Sequence, residues 1–259
     1  MSKIYEKFQH LRVVRRSEIL AWFHGDTDRT NNALQWLLKS GKAQRIKTGL
    51  YYFKKPDEWF QKETAVSPWL VAGGAVDGSV IAYHSAMAIQ GWGYSVSRRI
   101  QVAIDKRGKK LPARFEYQHA EYRYYQDDTS YGVEDVLIDD IEVKTFTKER
   151  LLLDAMARPD RFLGIVEFLQ SVESFRWIDL GKLFEYLPHY PTAAVKMRLG
   201  WLLVRFQKQW YIRDEILEKL LEYRPHDSAF LVANKRRDNK RVKKWNLMVP
   251  KTLDYIDEF

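Results

Sequence analysis

The sequence predicts an α+β protein, in which a small N-terminal module over residues 1–60 precedes a larger mixed α/β domain over residues 61–259. Apolar residues recur at helical spacing through the first 40 residues, and two short extended stretches follow them. Between residues 100 and 146 the pattern is that of strands, and helical spacing returns after residue 147. With 46% hydrophobic residues among 259, the chain can form a sizeable core.

Three short helices are predicted first. Apolar residues from Ile4 to Leu11 define the first helix, and Ser17 can cap a second one that ends at Gly25. A third helix has candidate caps in Asp26, Thr27 and Asp28, and Gly41 ends it. Its inward stripe consists of Ala33, Leu34, Leu37 and Leu38.

A β-hairpin is predicted next. Extended stretches at residues 43–47 and 50–53 flank Thr48-Gly49, a pair suited to a tight turn. Three helices followed by a hairpin give the element order of a winged helix-turn-helix. The module boundary is placed near residue 60, within a charged connecting stretch that contains Pro56.

The larger domain is predicted to begin with a helix over residues 79–90 and to continue with strands. The predicted strands are residues 100–104 and 115–125, and a hairpin over residues 136–146 turns at Asp139-Asp140. Thr147 can cap a helix that must end before Pro159. Further helices are predicted at residues 161–172, 180–187, 193–206 and 215–223, and strands at residues 229–233 and 245–249.

The third helix presents polar side chains when its apolar stripe faces inward. Asn and Gln can pair bidentately with adenine in the major groove, and Arg can reach guanine or phosphate. Around the hairpin, basic side chains are placed to hold phosphates. The predicted DNA-binding set is Arg29, Thr30, Asn31, Asn32, Gln35, Lys39, Lys42, Arg45 and Lys47. An ordinary solvated helix face is the alternative explanation of these polar residues.

Charge favours the DNA-binding interpretation. Residues 1–60 hold twelve Lys or Arg against six Asp or Glu, a net +6 out of +9 for the whole chain.

A second basic run comprises Lys235, Arg236, Arg237, Lys240, Arg241, Lys243 and Lys244, and could extend a nucleic-acid footprint or dock an acidic partner. Residues 127–142 carry seven acids and no base, which polarises the second domain.

Two functions of other classes remain open. Asp127 or Asp128 together with Glu142 and Lys144 matches the carboxylate-plus-ExK pattern of metal-dependent nucleases, although so short a pattern arises readily by chance. The N-terminal module could also contact a protein instead of DNA, in which case binding would be insensitive to salt. We predict no catalytic residue, cofactor or metal site, and therefore no enzyme activity.

The chain has no cysteine, which excludes disulfides, thiolate zinc sites and cysteine nucleophiles. No secretory signal and no apolar run of about 18 residues is visible, so a cytoplasmic protein without a membrane partner is expected.

Ordered sequence motifs suggest a family. The motifs are Gly49-Leu50-Tyr51-Tyr52, Ser79 to Ala86 (SVIAYHSA), Thr147 to Asp154 (TKERLLLD) and Met197-Arg198-Leu199-Gly200. In this order they resemble those of the AbiEi-like antitoxins of abortive-infection toxin–antitoxin systems, along nearly the whole chain. Leu151 departs from the small hydroxyl residue expected at its position.

The resemblance implies a two-part protein. Its winged helix would bind double-stranded DNA at the operator of its own operon and repress transcription, and its C-terminal domain would neutralise a nucleotidyltransferase-like toxin. The motif residues Tyr83, His84, Glu149, Arg150 and Asp154 would be signatures of the domain architecture rather than catalytic groups.

Overall fold

The computed structural model describes residues 2–105, 110–224, 226–232 and 237–256. Across these ranges the fold is mixed α/β, with helices and three sheets. The chain forms two compact units. Unit 1 comprises Met1–Ser85 and Ser97–Thr145, and unit 2 comprises Ala86–Val96 and Phe146–Phe259. The predicted module boundary near residue 60 therefore falls inside unit 1.

The N-terminal part of unit 1 combines three helices with a small antiparallel sheet in the order β1-β3-β2. The elements are α1 (Ser2–Phe8), β1 (Val13–Arg15), α2 (Arg16–Trp22), α3 (Thr27–Lys39), β2 (Ala43–Lys47) and β3 (Leu50–Phe53). The predicted hairpin is confirmed, with Gly49 at φ 82° in its turn. Strand β1, which pairs with β3, is not among the predicted elements.

The start of α2 differs from the prediction. Arg15, not Ser17, occupies the N-cap position, and its backbone amide donates to Glu18 Oε2 at 2.7 Å. The carboxylate of Glu18, at the third helical position, thus accepts the hydrogen bond of the N-cap amide. The helix begins two residues earlier than it would with Ser17 as its N-cap.

A single hydrophobic cluster holds this part together. Tyr5, Phe8, Val14, Ile19, Leu37 and Phe53 are among its buried members. The predicted inward stripe of α3 is confirmed for Ala33, Leu34 and Leu37, and Leu38 is partly buried against the same cluster. These contacts fix which face of α3 points to solvent.

The rest of unit 1 is a six-stranded sheet in the order β6-β7-β5-β4-β9-β8. Its strands are β4 (Val80–Ile81), β5 (Arg99–Ile104), β6 (Phe115–Tyr117), β7 (Ala120–Gln126), β8 (Val133–Ile138) and β9 (Ile141–Phe146), and α4 (Pro68–Gly74) precedes them. The predicted turn at Asp139-Asp140 is confirmed, because both residues take positive φ (50° and 65°), as a tight hairpin requires.

The helix predicted over residues 79–90 is wrong in its first part. Val80 and Ile81 form a strand between β5 and β9, and α5 (Tyr83–Ile89) begins only after it. Val80, Ile81 and Ala82 are at most 2% exposed. A short apolar run of this kind fits a buried strand and a buried helix equally well, so spacing alone could not separate the two.

Unit 2 is largely helical. Its helices after α5 are α6 (Lys148–Ala157), α7 (Ile165–Val172), α8 (Leu180–Tyr186), α9 (Ala193–Arg205) and α10 (Asp214–Leu221), and its sheet has the order β10 (Ala229–Phe230), β12 (Leu247–Pro250), β11 (Asn239–Val242). The helix predicted from residue 161 begins later, because Leu163 and Gly164 take φ 58° and 102°. None of the helices in the described part of the chain has the length and apolar character of a membrane span.

Candidate nucleic-acid interface

Helix α3 presents the predicted polar face to solvent. Its 13 residues follow the N-cap Asp26, whose Oδ1 accepts from the Arg29 amide at 2.9 Å. Asn31, Asn32, Gln35 and Lys39 are all exposed; Gln35 follows Asn31 and Asn32 by four and three residues, and Lys39 follows Gln35 by four. Residues at such steps share one side of a helix, so the two asparagines, the glutamine and the lysine form a continuous surface.

Two arginines border this surface. The Arg29 guanidinium lies 4.9 Å from the Phe23 ring centroid and remains exposed. Arg16, at the start of α2, donates from Nη2 to Asn31 Oδ1 at 3.0 Å. Arg16 was not among the predicted site residues, since sequence alone does not show that the start of α2 adjoins the middle of α3. Its hydrogen bond orients the Asn31 amide and places a cation beside the helix face.

Thr30 does not belong to the outward face. It is fully buried, and its hydroxyl donates to the Asp26 carbonyl at 2.7 Å. Helical spacing explains this placement, because Thr30 lies three and four residues before the inward-facing Ala33 and Leu34. Thr30 therefore supports the first turn of α3 from inside and is not available to a ligand at the surface.

Four cations are predicted to contact phosphates, and they differ in their exposure to solvent. Lys39 and Arg45 are exposed. Lys42 is half-buried, with its Nζ 4.4 Å from the Trp59 ring centroid and 5.0 Å from that of Trp36. Lys47 places its Nζ 3.9 Å from the Phe115 ring, and burial lowers the pKa of this lysine. The ammonium groups of Lys42 and Lys47 thus pack against aromatic rings.

The Asp26 cap should contribute measurably to the stability of α3. In Asp26→Ala the Arg29 amide loses its acceptor, and we expect a loss of about 1 kcal/mol in the free energy of unfolding. Urea titration monitored by circular dichroism measures the change. Asp26→Ser should retain most of the stability, because serine also caps helices. An alanine variant as stable as wild type would show that the hydrogen bond is dispensable.

The carboxylates of the nuclease hypothesis are not brought together. Asp127 Oδ2 accepts from the Tyr83 hydroxyl at 2.5 Å, and Lys144 Nζ pairs with Asp135 Oδ1 at 3.1 Å. Strands β7 and β9 are separated by β5 and β4, which puts Asp127 and Glu142 about 14 Å apart across the sheet. In the described ranges, no group of three His, Asp or Glu side chains is placed to hold a metal ion.

The second basic run lies in unit 2, around β11. Arg237, Lys240, Arg241, Lys243 and Lys244 are exposed, whereas Lys235 and Arg236 lie outside the described residues. The Arg241 Nη2 donates to Asn246 Oδ1 at 2.7 Å, so the hairpin partly fixes this guanidinium.

No protein-family model matches the sequence, and no curated protein matches it. In three dimensions the chain is similar to the Rv2827c protein from Mycobacterium tuberculosis, with a TM-score of 0.60 at 16% sequence identity. The match covers 96% of this chain and 90% of that one. At this level of identity the likeness concerns the fold alone, and the fold of this chain is accordingly similar along nearly its whole length to that of a protein solved by crystallography.

Proposed function

We propose that the N-terminal part of unit 1 is a winged helix-turn-helix that binds double-stranded DNA through α3. The continuous exposed face of Asn31, Asn32, Gln35 and Lys39 carries this proposal. In such modules the recognition helix lies in the major groove and the hairpin contacts the backbone. Here α3 would be the recognition helix, and β2 with β3 would form the wing.

Each exposed side chain suits a distinct contact. The amides of Asn32 and Gln35 can each accept from N6 and donate to N7 of adenine. Arg29 near the helix start can pair with guanine or phosphate, and Lys39 and Arg45 can neutralise phosphates. Asn31, held by Arg16, presents a preset amide orientation, so it would select its base contact with little loss of side-chain entropy.

The proposed role in the cell is repression of the operon that encodes this protein. A repressor of this kind needs binding and no covalent chemistry, which agrees with a helix face rich in amides and cations. Because phosphate contacts release counterions, operator affinity should fall steeply as salt increases. Binding that does not respond to salt would instead favour a protein as the partner of α3.

Replacing Asn32 and Gln35 with alanine tests the recognition face. Each substitution removes one bidentate pairing with a base, and discrimination between the operator and unrelated duplexes should relax by about 1–3 kcal/mol per pairing. Competitive binding of the two duplexes by fluorescence anisotropy measures this difference. Gln126→Ala is the matched control, because it removes an exposed amide at the end of β7. Unchanged discrimination in the double variant would overturn the assignment of α3 as the recognition helix.

We also propose, from the resemblance to AbiEi-like antitoxins, that the chain neutralises a nucleotidyltransferase-like toxin. An apolar surface of unit 2 supports a protein partner. Tyr94, Val96 and Trp177 are 63%, 100% and 62% exposed. The segments that carry them adjoin, since Trp92 contacts Phe175 with ring centroids 4.8 Å apart. Exposed apolar patches on folded proteins commonly mark interaction sites.

Growth rescue tests this second activity. A nucleotidyltransferase-like protein encoded beside this gene would be expressed with and without the present chain, and growth should recover only when both are present. Trp177→Ala combined with Val96→Ser should weaken the rescue if the apolar surface binds the toxin. The Asn32→Ala, Gln35→Ala variant serves as the control, because DNA reading and toxin binding would then use separate surfaces. Undiminished toxicity with the wild-type chain would contradict the antitoxin proposal.

A further inference from the structure

A basic pocket opens beside the C-terminal end of α3. It has a volume of about 470 Å³, and its cations are Lys39 from α3, Arg45 from β2, and Lys54 and Lys62 from the segment after β3. Trp59 and Phe60 also line it, and Phe60 is 96% exposed. The described residues that line this pocket include no carboxylate. Four cations without a counter-charge around one opening attract an anion.

Lys54 distinguishes this pocket from an ordinary basic surface. The residue is 2% exposed, and its Nζ donates to the Gln61 carbonyl at 2.6 Å. An ammonium group has three donors, and a neutral carbonyl supplies no compensating charge. Buried charges in proteins are normally paired, because the loss of hydration is otherwise costly. An anion bound in the basic pocket would supply the missing charge.

The pocket is continuous with the proposed DNA-binding face. Lys39 belongs both to the exposed side of α3 and to the pocket lining, and Arg45 lies on the strand that opens the wing. A duplex whose major groove receives α3 has its phosphate backbone at the edges of that groove. A bound strand would therefore pass beside the helix end, where these cations stand.

We propose that the basic pocket binds a backbone phosphate of the DNA strand that borders the groove contacted by α3. Lys54 and Lys62 are then further DNA-binding residues, and the exposed Phe60 ring packs against the adjoining sugar. The inference rests on the proposed function, and it assigns a specific phosphate clamp to that function. Lys42, enclosed by Trp36 and Trp59, supports the neighbouring wall instead of contacting phosphate.

Duplex binding by Lys62→Gln and Lys54→Met tests the proposal. Removing one phosphate-binding cation should lower the slope of log K against log salt concentration by about 1 and weaken all duplexes to a similar extent. Lys62 is exposed, so its replacement leaves the fold intact, and methionine preserves the apolar stem of Lys54. Lys208→Gln removes an equal charge from unit 2 and should leave the slope unchanged.

A duplex with single methylphosphonate substitutions locates the phosphate. At one position, the neutral linkage should weaken wild-type binding and have little further effect on Lys62→Gln, because both changes remove the same interaction. Full additivity at every position would overturn the assignment. Inorganic phosphate serves as a second probe. If it quenches Trp59 in a Lys54-dependent manner while both variants keep the wild-type slope, the pocket binds free phosphate and not DNA.

Different results would contradict DNA binding by α3 and phosphate binding by the basic pocket. A wild-type chain that binds no duplex would overturn DNA binding altogether. Salt-dependent wild-type binding that requires Asn32 and Gln35, but retains its full slope in both lysine variants, would overturn the phosphate clamp alone.

Discussion

Replacing Asp154 with alanine is expected to lower the free energy of unfolding by about 3–5 kcal/mol. Asp154 and Arg150 lie on successive turns of α6, both side chains are fully buried, and Arg150 Nε is 3.5 Å from Asp154 Oδ2. The Tyr190 hydroxyl donates to Asp154 Oδ1 at 2.9 Å, and the guanidinium lies 3.4 Å from the Phe146 ring centroid. Removing the carboxylate takes the Asp154 anion away from a fully buried guanidinium.

Urea unfolding monitored by tryptophan fluorescence measures the loss. Arg150→Met combined with Asp154→Leu should be much less harmful than Asp154→Ala alone, because an apolar pair of similar volume leaves no uncompensated charge. Asp160→Ala, an exposed acid in the turn after α6, should change stability by less than about 0.5 kcal/mol. A loss below about 1 kcal/mol in Asp154→Ala would show that the ion pair contributes little to unit 2.

Other polar residues of the SVIAYHSA and TKERLLLD motifs are buried as well. His84, Glu149, Arg150 and Asp154, four of the motif residues, are at most 3% exposed. Glu149 Oε1 accepts from the Asp179 amide at 2.9 Å, which ties α6 to the start of α8. These contacts show that the buried polar side chains of α6 stabilise the interior of unit 2 and not an exposed site.

Local signals in the sequence were sufficient for much of the fold. The turn at Gly49 requires positive φ, which glycine adopts without steric cost and which Asp139 and Asp140 tolerate in the second turn, so both hairpins could be predicted from their turns. Pro159 limits α6 in the same local way, since the residue before a proline disfavours helix. Such rules depend on backbone preferences within a few residues, so they can be applied without knowledge of distant contacts.

Elements defined by distant pairing could not be predicted. Strand β1 has three residues and exists because it pairs with β3, with Val13 opposite Tyr52. Strand β4 has two residues and pairs with β5 and β9. Runs this short carry no period, and their conformation follows from the sheet into which they insert.

In the candidate site, too, local features could be predicted from the sequence and distant contacts could not. The outward face of α3 followed from helical spacing, because the apolar stripe fixes the opposite side. The surroundings of individual cations did not follow, since Lys42 meets Tyr5 and Trp59, and Lys47 meets Phe115, 68 positions further along the chain. Whether a lysine is free for phosphate depends on such contacts, which charge counting cannot reveal.

Trp245→Ala is expected to destabilise unit 2 by about 3–5 kcal/mol. Trp245 is 1% exposed and anchors the β11–β12 hairpin to α9, where its ring lies directly on Gly200. Truncation would leave a cavity over the helix and free the hairpin that carries the second basic run. Thermal unfolding and the near-ultraviolet circular dichroism of the aromatic core measure the effect. Trp177→Ala, which removes an exposed tryptophan, is the matched control and should cost little.

Gly200 provides an independent test of the same packing. Glycine inside a helix is normally about 1 kcal/mol less stable than alanine, so sequence alone predicts that Gly200→Ala stabilises α9. A Cβ at this position would lie 2.5 Å from Trp245 Cε3 and closer still to Cζ3 and Cη2. Overpacking of this kind costs about 1–3 kcal/mol, which outweighs the gain in helix propensity. In a Trp245→Leu background the clash disappears, and Gly200→Ala should become stabilising. An alanine that stabilises the wild-type chain would show that the ring can move aside, so the change of sign between the two backgrounds decides whether the indole is fixed against α9.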